Sequence, residues 1–263
     1  MQTKGKTLAV ITERHNNKMM TLEEYLKDDN RNSVFREKLI NYKFFYEVKY
    51  AAAKNRNDIN IYIPEVDRDG YDVLLDDGDS IKPFQIKTVV SSAKTTSWKL
   101  KKNLLRPKFY NCAKLGFEQS PESTGVEGGF ILIEILIDKD EIKSLSYYYT
   151  DIFILAAFEC GFLKIQNFQN TAKNDKSIKR LLSKIISGKR TDNVTLTKSN
   201  LVKVKSVDDL LALADLNSKT HRQWTSSFLS YYSNYLQKKV VRGEKRELKK
   251  IIKKHINDTR IKT

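Results

Sequence analysis

The chain has 263 residues, of which 40% are hydrophobic, and 48 Lys and Arg outnumber 32 Asp and Glu to give a net charge of +16 at pH 7. This length predicts a globular protein with one elaborated domain, or one domain and an appendage. No apolar run reaches the roughly 18 to 20 residues of a membrane span, and we find no signal-peptide core. Cys112 and Cys160 have no metal or redox spacing. We therefore expect a cytoplasmic protein with reduced thiols and no membrane partner.

The excess of positive charge favours a polyanionic partner, because neutralising phosphates releases condensed counterions. A Lys-rich surface that binds no nucleic acid is the alternative. The sequence contains neither GxxxxGK[ST] nor GxGxxG, which argues against a nucleotide cofactor. His15, His221 and His255 are scattered, so zinc is not expected.

Hydrophobic patterns and turn residues predict the elements in chain order. In the first half, a short helix opens at a capping box at Thr21. It is followed by a long helix, three strands and a partly helical segment: residues 33–53, 59–63, 71–75, 84–90 and 94–111. In the second half they are two strands, two helices, a strand and a Leu-rich helix that begins at a capping box: residues 130–138, 141–149, 152–160, 177–187, 194–204 and 206–216.

The last segment changes character, with 11 Lys or Arg against 3 Asp or Glu between Lys238 and Thr263. Its apolar residues recur at helical spacing, which predicts a basic amphipathic helix. We expect it to lie along phosphates, or else to act as a solubilising tail. The aromatic and polar run SSFLSYYSNYL before it suggests an interface, which could join two subunits. The domains predicted are an arm at 1–20, a core at 21–216 and a basic helical extension at 217–263.

The most informative stretch reads DGYDVLLDDGDSIKPFQIKTVV. Its loop chemistry, DDGDSIKP, predicts a connection between two strands. Asp72 lies near the start of the first strand, while Gln85 and Lys87 lie two apart on one face of the second. A carboxylate, an amide oxygen and an ammonium would then meet at the ends of neighbouring strands, which suits a divalent cation bound beside a phosphate.

This order of a helix, a strand with Asp72 and a strand with Gln85-Ile86-Lys87 resembles the PD-(D/E)xK nuclease superfamily, with QxK in place of (D/E)xK. The resemblance implies an α/β fold in which helices flank a small mixed β-sheet, as in restriction endonucleases. It also implies Mg²⁺-dependent cleavage of phosphodiesters. Asp72, Gln85 and the Ile86 carbonyl would be metal ligands, and Lys87 would stabilise the attacking hydroxide.

The sequence departs from the family pattern at two positions. Tyr71 stands where a Pro often precedes the first Asp, and Gln85 offers only a neutral oxygen. Family members often supply a further carboxylate from the long helix. Glu47 shares a stripe with apolar residues of that helix and is the favoured candidate, with Glu37 as the alternative.

The expected function is that of a Mg²⁺-dependent endonuclease of the type II restriction kind, acting on double-stranded DNA as a homodimer. The alternatives are a repair or junction-processing nuclease, and a catalytically silent DNA-binding protein. Four lysines beyond the Lys87 strand could hold the DNA backbone, or could belong to an ordinary solvated helix: Lys94, Lys99, Lys101 and Lys102.

Overall fold

The computed structural model describes residues 20–65, 70–163, 171–216, 223–239 and 242–256. The predicted arm at 1–20 lies outside this part of the chain except for Met20, as does the end of the predicted extension from residue 257. The described helices, numbered in chain order, are α1 (Leu22–Lys27), α2 (Asp29–Lys54), α3 (Lys102–Leu105), α4 (Ile152–Glu159), α5 (Thr171–Ile186), α6 (Val207–Leu213), α7 (Gln223–Leu236) and α8 (Arg242–Lys254).

Three antiparallel strands follow the long helix α2. They are β1 (Asn60–Tyr62), β2 (Val73–Asp76) and β3 (Ile81–Val90). The predicted turn chemistry closes the β2–β3 hairpin, since the Gly78 N–H donates to Asp76 at 2.8 Å and the Ser80 N–H donates to Asp77 at 2.8 Å. Gly78 has a φ of 85°, which favours glycine.

The chain then crosses over to β5 (Gly129–Asp138), which pairs parallel to β3. Two more strands extend the sheet with antiparallel pairing: β6 (Glu141–Asp151) and β8 (Val202–Lys203). The six strands lie in the order β1-β2-β3-β5-β6-β8. A mixed central sheet flanked by helices therefore confirms the predicted α/β class.

A second, two-stranded sheet joins β4 (Ser97–Lys101) to β7 (Asn193–Thr197). The helix predicted within residues 94–111 is wrong for residues 97–101, because this segment pairs with β7 instead. The Trp98 ring packs over the Phe130 ring of the main sheet, with ring centroids 5.9 Å apart. The strand predicted for residues 194–204 is also interrupted. A turn of 3₁₀ helix at Lys198–Asn200 divides it into β7 and β8.

The hydrophobic core takes in both halves of the chain. On one face of the main sheet, Phe44 of α2 packs on Tyr147 of β6 with ring centroids 5.7 Å apart. Aromatic residues of α7 are buried as well, and Trp224 packs against Phe153 at 6.3 Å. Four residues of the run that the sequence suggested as an interface are buried: Phe228, Leu229, Tyr231 and Tyr232. Further along the chain, Leu248, Ile252 and Ile256 belong to the same core.

Helix α8 is amphipathic, as predicted. Leu248 and Ile252 are buried, and His255 just beyond the helix is held 2.8 Å from Asp209 of α6. One face of the basic segment is thereby fixed to the core. None of the described helices is long and apolar enough to cross a membrane.

Candidate active site

Asp72 directly precedes β2, and both its backbone and its side chain bond to β3. Its backbone N–H donates to the Phe84 carbonyl at 2.8 Å, and its Oδ2 accepts the Ile86 N–H at 2.7 Å. The N–H and C=O of one strand residue point to the same edge. The Ile86 carbonyl therefore points to the edge that Asp72 occupies.

The Lys87 ammonium lies between two carboxylates. Its Nζ is 4.0 Å from Asp72 Oδ2 and 3.8 Å from Glu37 Oε1 of α2. All three side chains are partly open to solvent, with 35% of the Lys87 side chain exposed. The sequence thus correctly predicted that Asp72 and Lys87 meet, and the helix contributes an acid to the same place.

Gln85 precedes Ile86 on the Lys87 face of β3. The residue is buried, and among the described residues its Oε1 atom has no hydrogen-bond partner. A buried amide oxygen without a donor is costly unless something else satisfies it. A cation beside Asp72 would do so.

The helix carboxylate at this place is Glu37 and not the favoured Glu47. Glu47 instead accepts the Tyr147 hydroxyl at 2.6 Å and pairs with Lys43 at 3.5 Å. Ten residues along a helix correspond to about 15 Å. Glu47 is therefore too far along α2 to share an ion with a group that Glu37 reaches.

Glu47 has a structural role, because it accepts a hydrogen bond from Tyr147. Burial and the adjacent Glu47 carboxylate raise the pKa of the Tyr147 hydroxyl, so this phenol keeps its proton and remains a donor. The hydrogen bond ties the middle of α2 to β6. Glu47 thus satisfies a buried hydroxyl where the sequence hypothesis placed a metal ligand.

The residues present fit a magnesium ion by the chemistry of their oxygen donors, but not by a cluster of carboxylates. Asp72, Gln85 and the Ile86 carbonyl provide oxygen donors of the kind that Mg²⁺ prefers. Within the described ranges, no three His, Cys, Asp or Glu side chains group into a metal site by themselves. The amide, the backbone carbonyl and the unsatisfied Gln85 oxygen are thus needed to complete any such site.

A groove of about 600 Å³ lies between the start of α2 and the end of β3, and its lining includes the chain neighbours Arg36 and Thr88 but none of Asp72, Lys87, Glu37 and Gln85. Its lining includes three basic residues, Lys27, Arg36 and Lys94, together with the indole of Trp98. Lys94 is exposed. It is thus the one of the four predicted DNA-binding lysines that lines this groove.

The other three lysines lie elsewhere. Lys99 is exposed on β4, and Lys101 lines a separate pocket with Arg190. Lys102 is buried, and its ammonium donates to the Ser187 carbonyl at 2.9 Å and to Asp192 at 3.3 Å. Lys102 therefore anchors a loop and is not placed to contact a phosphate, contrary to the sequence expectation.

A second charged group on β3 has no counterpart in the sequence hypothesis. Lys82 forms a 2.7 Å ion pair with Asp151, and the side chains are only 7% and 0% exposed. Asp151 also accepts the Tyr149 hydroxyl and the Ile154 N–H at the start of α4. Nothing in the spacing of Lys82 and Asp151 along the chain indicates this contact, which depends on the pairing of β5 with its neighbours.

Comparison with protein-family models and with curated proteins gives no match for this chain. Its function is therefore inferred from the geometry of its own residues.

Proposed function

We propose that the chain is a Mg²⁺-dependent DNA endonuclease whose active site is the Asp72–Lys87–Glu37 group with Gln85. The observation that carries the proposal is the position of the Lys87 ammonium, within 4.0 Å of two carboxylates at the open edge of β3. The order of α2, β1, β2, β3 and a parallel β5 supports the likeness to the PD-(D/E)xK core. The net charge of +16 supports a polyanionic substrate.

Each residue has a separate role. Asp72 and Gln85, with the Ile86 carbonyl, would hold the metal ion, and Glu37 replaces Glu47 as the additional acid. A bound Mg²⁺ supplies a Lewis acid that polarises phosphate and acidifies water. The Lys87 ammonium would donate to a non-bridging phosphate oxygen and stabilise the negative charge that develops there. The hydrogen bond from the Ile86 N–H fixes Asp72 in place before any substrate arrives.

The first test is cleavage of supercoiled plasmid by the full chain, with Mg²⁺ or with EDTA. We expect cleavage in Mg²⁺ and none in EDTA. Lys87→Ala should lower the rate by about 10²- to 10³-fold, because a preorganised donor to the transition state is lost. Circular dichroism and thermal melting should show that the variant remains folded. Full activity in Lys87→Ala would refute the proposed site.

The second test uses two glutamates of one helix as a matched pair. Glu37→Gln should abolish most of the cleavage, since it removes a carboxylate beside Lys87. Glu47→Gln changes the same group on the same helix but leaves the site intact, so its cleavage rate should stay within a few-fold of the parent. The reverse result would restore Glu47 as the site residue.

The restriction type is the finer part of the proposal. A restriction enzyme that cuts both strands would act as a homodimer in the cytoplasm. Digestion of phage DNA into discrete fragments supports it, and a smear supports a repair or junction-processing nuclease.

A catalytically silent DNA-binding protein is the candidate from another class. The neutral Gln85 favours it, because the site has one carboxylate fewer than the usual motif. A gel shift without cleavage in Mg²⁺ or Mn²⁺ would establish this alternative.

A further inference from the structure

The solvent side of α2 carries a line of exposed tyrosines. Tyr42, Tyr46 and Tyr50 recur every fourth residue and are 67%, 68% and 62% exposed, and we call them the tyrosine ridge. The rings of Tyr46 and Tyr50 are stacked, with centroids 6.2 Å apart and planes 13° apart. Large aromatic side chains are seldom left in water in such a row unless they contact a partner.

Basic residues surround the ridge. The exposed residues between positions 31 and 54, a stretch described without a gap, include five cations and no acid: Arg31, Lys38, Lys43, Lys49 and Lys54. The two carboxylates of this stretch, Glu37 and Glu47, turn toward the sheet, where they meet Lys87 and Tyr147. The exposed side of α2 is thus aromatic and cationic over about 35 Å.

We propose that the tyrosine ridge binds single-stranded nucleic acid. Unpaired bases stack on aromatic faces, and a basic surface beside them holds the phosphates. A duplex would use only the cations, because its bases already stack on one another. The ridge therefore favours a strand with exposed bases.

Charge argues against a second copy of this chain as the partner. A two-fold contact places a surface against itself. Five cations on one protomer would then face the same five on the other, and like charges across an interface cost several kcal/mol. Lys43 keeps Glu47 at 3.5 Å, but an apolar protein groove would bury the other cations without partners. A polyanion avoids both penalties.

The ridge is separate from the proposed active site. Glu37 and Phe44 lie on the side of α2 that faces the sheet, whereas the ridge lies on the opposite side at 100° per residue. The proposal therefore does not depend on the chain being a nuclease. The stretch of nucleic acid bound at the ridge would therefore differ from the one bound at Lys87.

The test measures binding of a fluorescein-labelled oligothymidylate to the full chain by anisotropy, with an oligouridylate of equal length and a mixed-sequence duplex as further probes. The variant Tyr42→Ala/Tyr46→Ala/Tyr50→Ala should lose about tenfold in single-strand affinity per tyrosine, and little affinity for the duplex. Replacing the same residues by Phe should retain binding, because the stacking faces remain. Tyr62→Ala, an exposed tyrosine of β1, is the matched control and should have no effect.

The cations give an independent readout. Lys38→Ser/Lys49→Ser should lower the slope of log affinity against log salt by about 1.4 for a single strand. Plasmid cleavage by all ridge variants should match the parent, so this proposal and the proposed function can fail separately.

Three outcomes would overturn the inference: unchanged single-strand binding by the triple Ala variant, equal loss for strand and duplex, or a changed sedimentation mass with unchanged nucleic acid binding. The last outcome would identify the ridge as a protein contact. Comparison of the thymidylate and uridylate probes decides whether DNA or RNA is preferred.

Discussion

Strand β3 carries two lysines that pair with aspartates in different surroundings. Lys82 and Asp151 are almost fully buried, and the Lys82 ammonium also lies 5.8 Å and 5.6 Å from the ring centroids of Tyr149 and Phe153. Lys87 is about one third exposed, and its distances to Asp72 and Glu37 are longer, at 4.0 Å and 3.8 Å. The buried lysine is held by Asp151 and by these two rings, and it is almost closed to solvent. The exposed lysine is open to solvent, and under the proposed function it would exchange its ion pairs for a phosphate.

The largest effect is expected from Lys82→Met, which tests the structural side of this comparison. The substitution leaves Asp151 buried without its cation, and breaking such a pair costs about 3 to 5 kcal/mol in unfolding free energy. Urea denaturation followed by circular dichroism measures this cost. A loss below about 1 kcal/mol would show that water reaches the pair and would remove the contrast with Lys87.

The buried region around Lys82 should also make the stability of the fold depend on pH. Asp215 lines a cavity of about 180 Å³ together with Lys82, and burial raises its pKa from 3.8 to about 6, although Thr225 donates a hydrogen bond to it. Because the folded pKa is raised, protonated Asp215 stabilises the fold below about pH 4, and this contribution is lost as the pH rises through about 6.

Asp215→Asn should therefore remove a pH dependence of about 2 to 3 kcal/mol between pH 4 and pH 6. Urea titrations of both proteins at several pH values measure the difference. Parallel stability curves over this range would contradict the raised pKa.

Tyr147→Phe tests whether Glu47 has a structural role or belongs to the proposed active site. The variant loses one hydrogen bond to a carboxylate and should be destabilised by about 1.5 kcal/mol. Its plasmid cleavage should be unchanged, because Glu47 and Tyr147 lie away from Lys87. A large loss of cleavage with normal stability would place Glu47 in the site.

The smallest change in stability is expected from Lys87→Met. Partly exposed ion pairs contribute about 0 to 1 kcal/mol, so the free energy of unfolding should hardly change. Cleavage should nevertheless fall as for Lys87→Ala. A strongly destabilised Lys87→Met variant would make Lys87 structural, like Lys82, and would weaken the proposed function.

The parts of the fold that were predictable are those governed by local patterns. The Asp and Gly residues of the β2–β3 turn, and the alternation around Gln85, are sufficient to predict the hairpin and the meeting of Asp72 with Lys87. The capping box at Thr21 is confirmed by the Glu24 N–H donating to the Thr21 hydroxyl and the Glu24 carboxylate accepting from the Thr21 N–H.

The predictions that were wrong concern residues whose place in the fold depends on tertiary packing. Glu37 and Glu47 both lie on the sheet side of α2, so periodicity cannot say which one reaches Lys87. The position of the helix along its axis on the sheet determines that it is Glu37. Ser97–Lys101 forms a strand because β7, nearly a hundred residues later, provides its partner. Lys102 looks like any surface lysine in sequence, yet the Ser187 carbonyl and Asp192 bury it.

The chain contains two tryptophans, and their positions give each a different spectroscopic use. Trp224 is buried among aromatic residues in the core, so its emission reports whether the protein is folded. Trp98 lines the groove between the start of α2 and the end of β3, so quenching or shifts of its emission report entry of a molecule there. Replacing either indole by Phe would leave an intrinsic fluorophore that follows one event alone, without any attached dye.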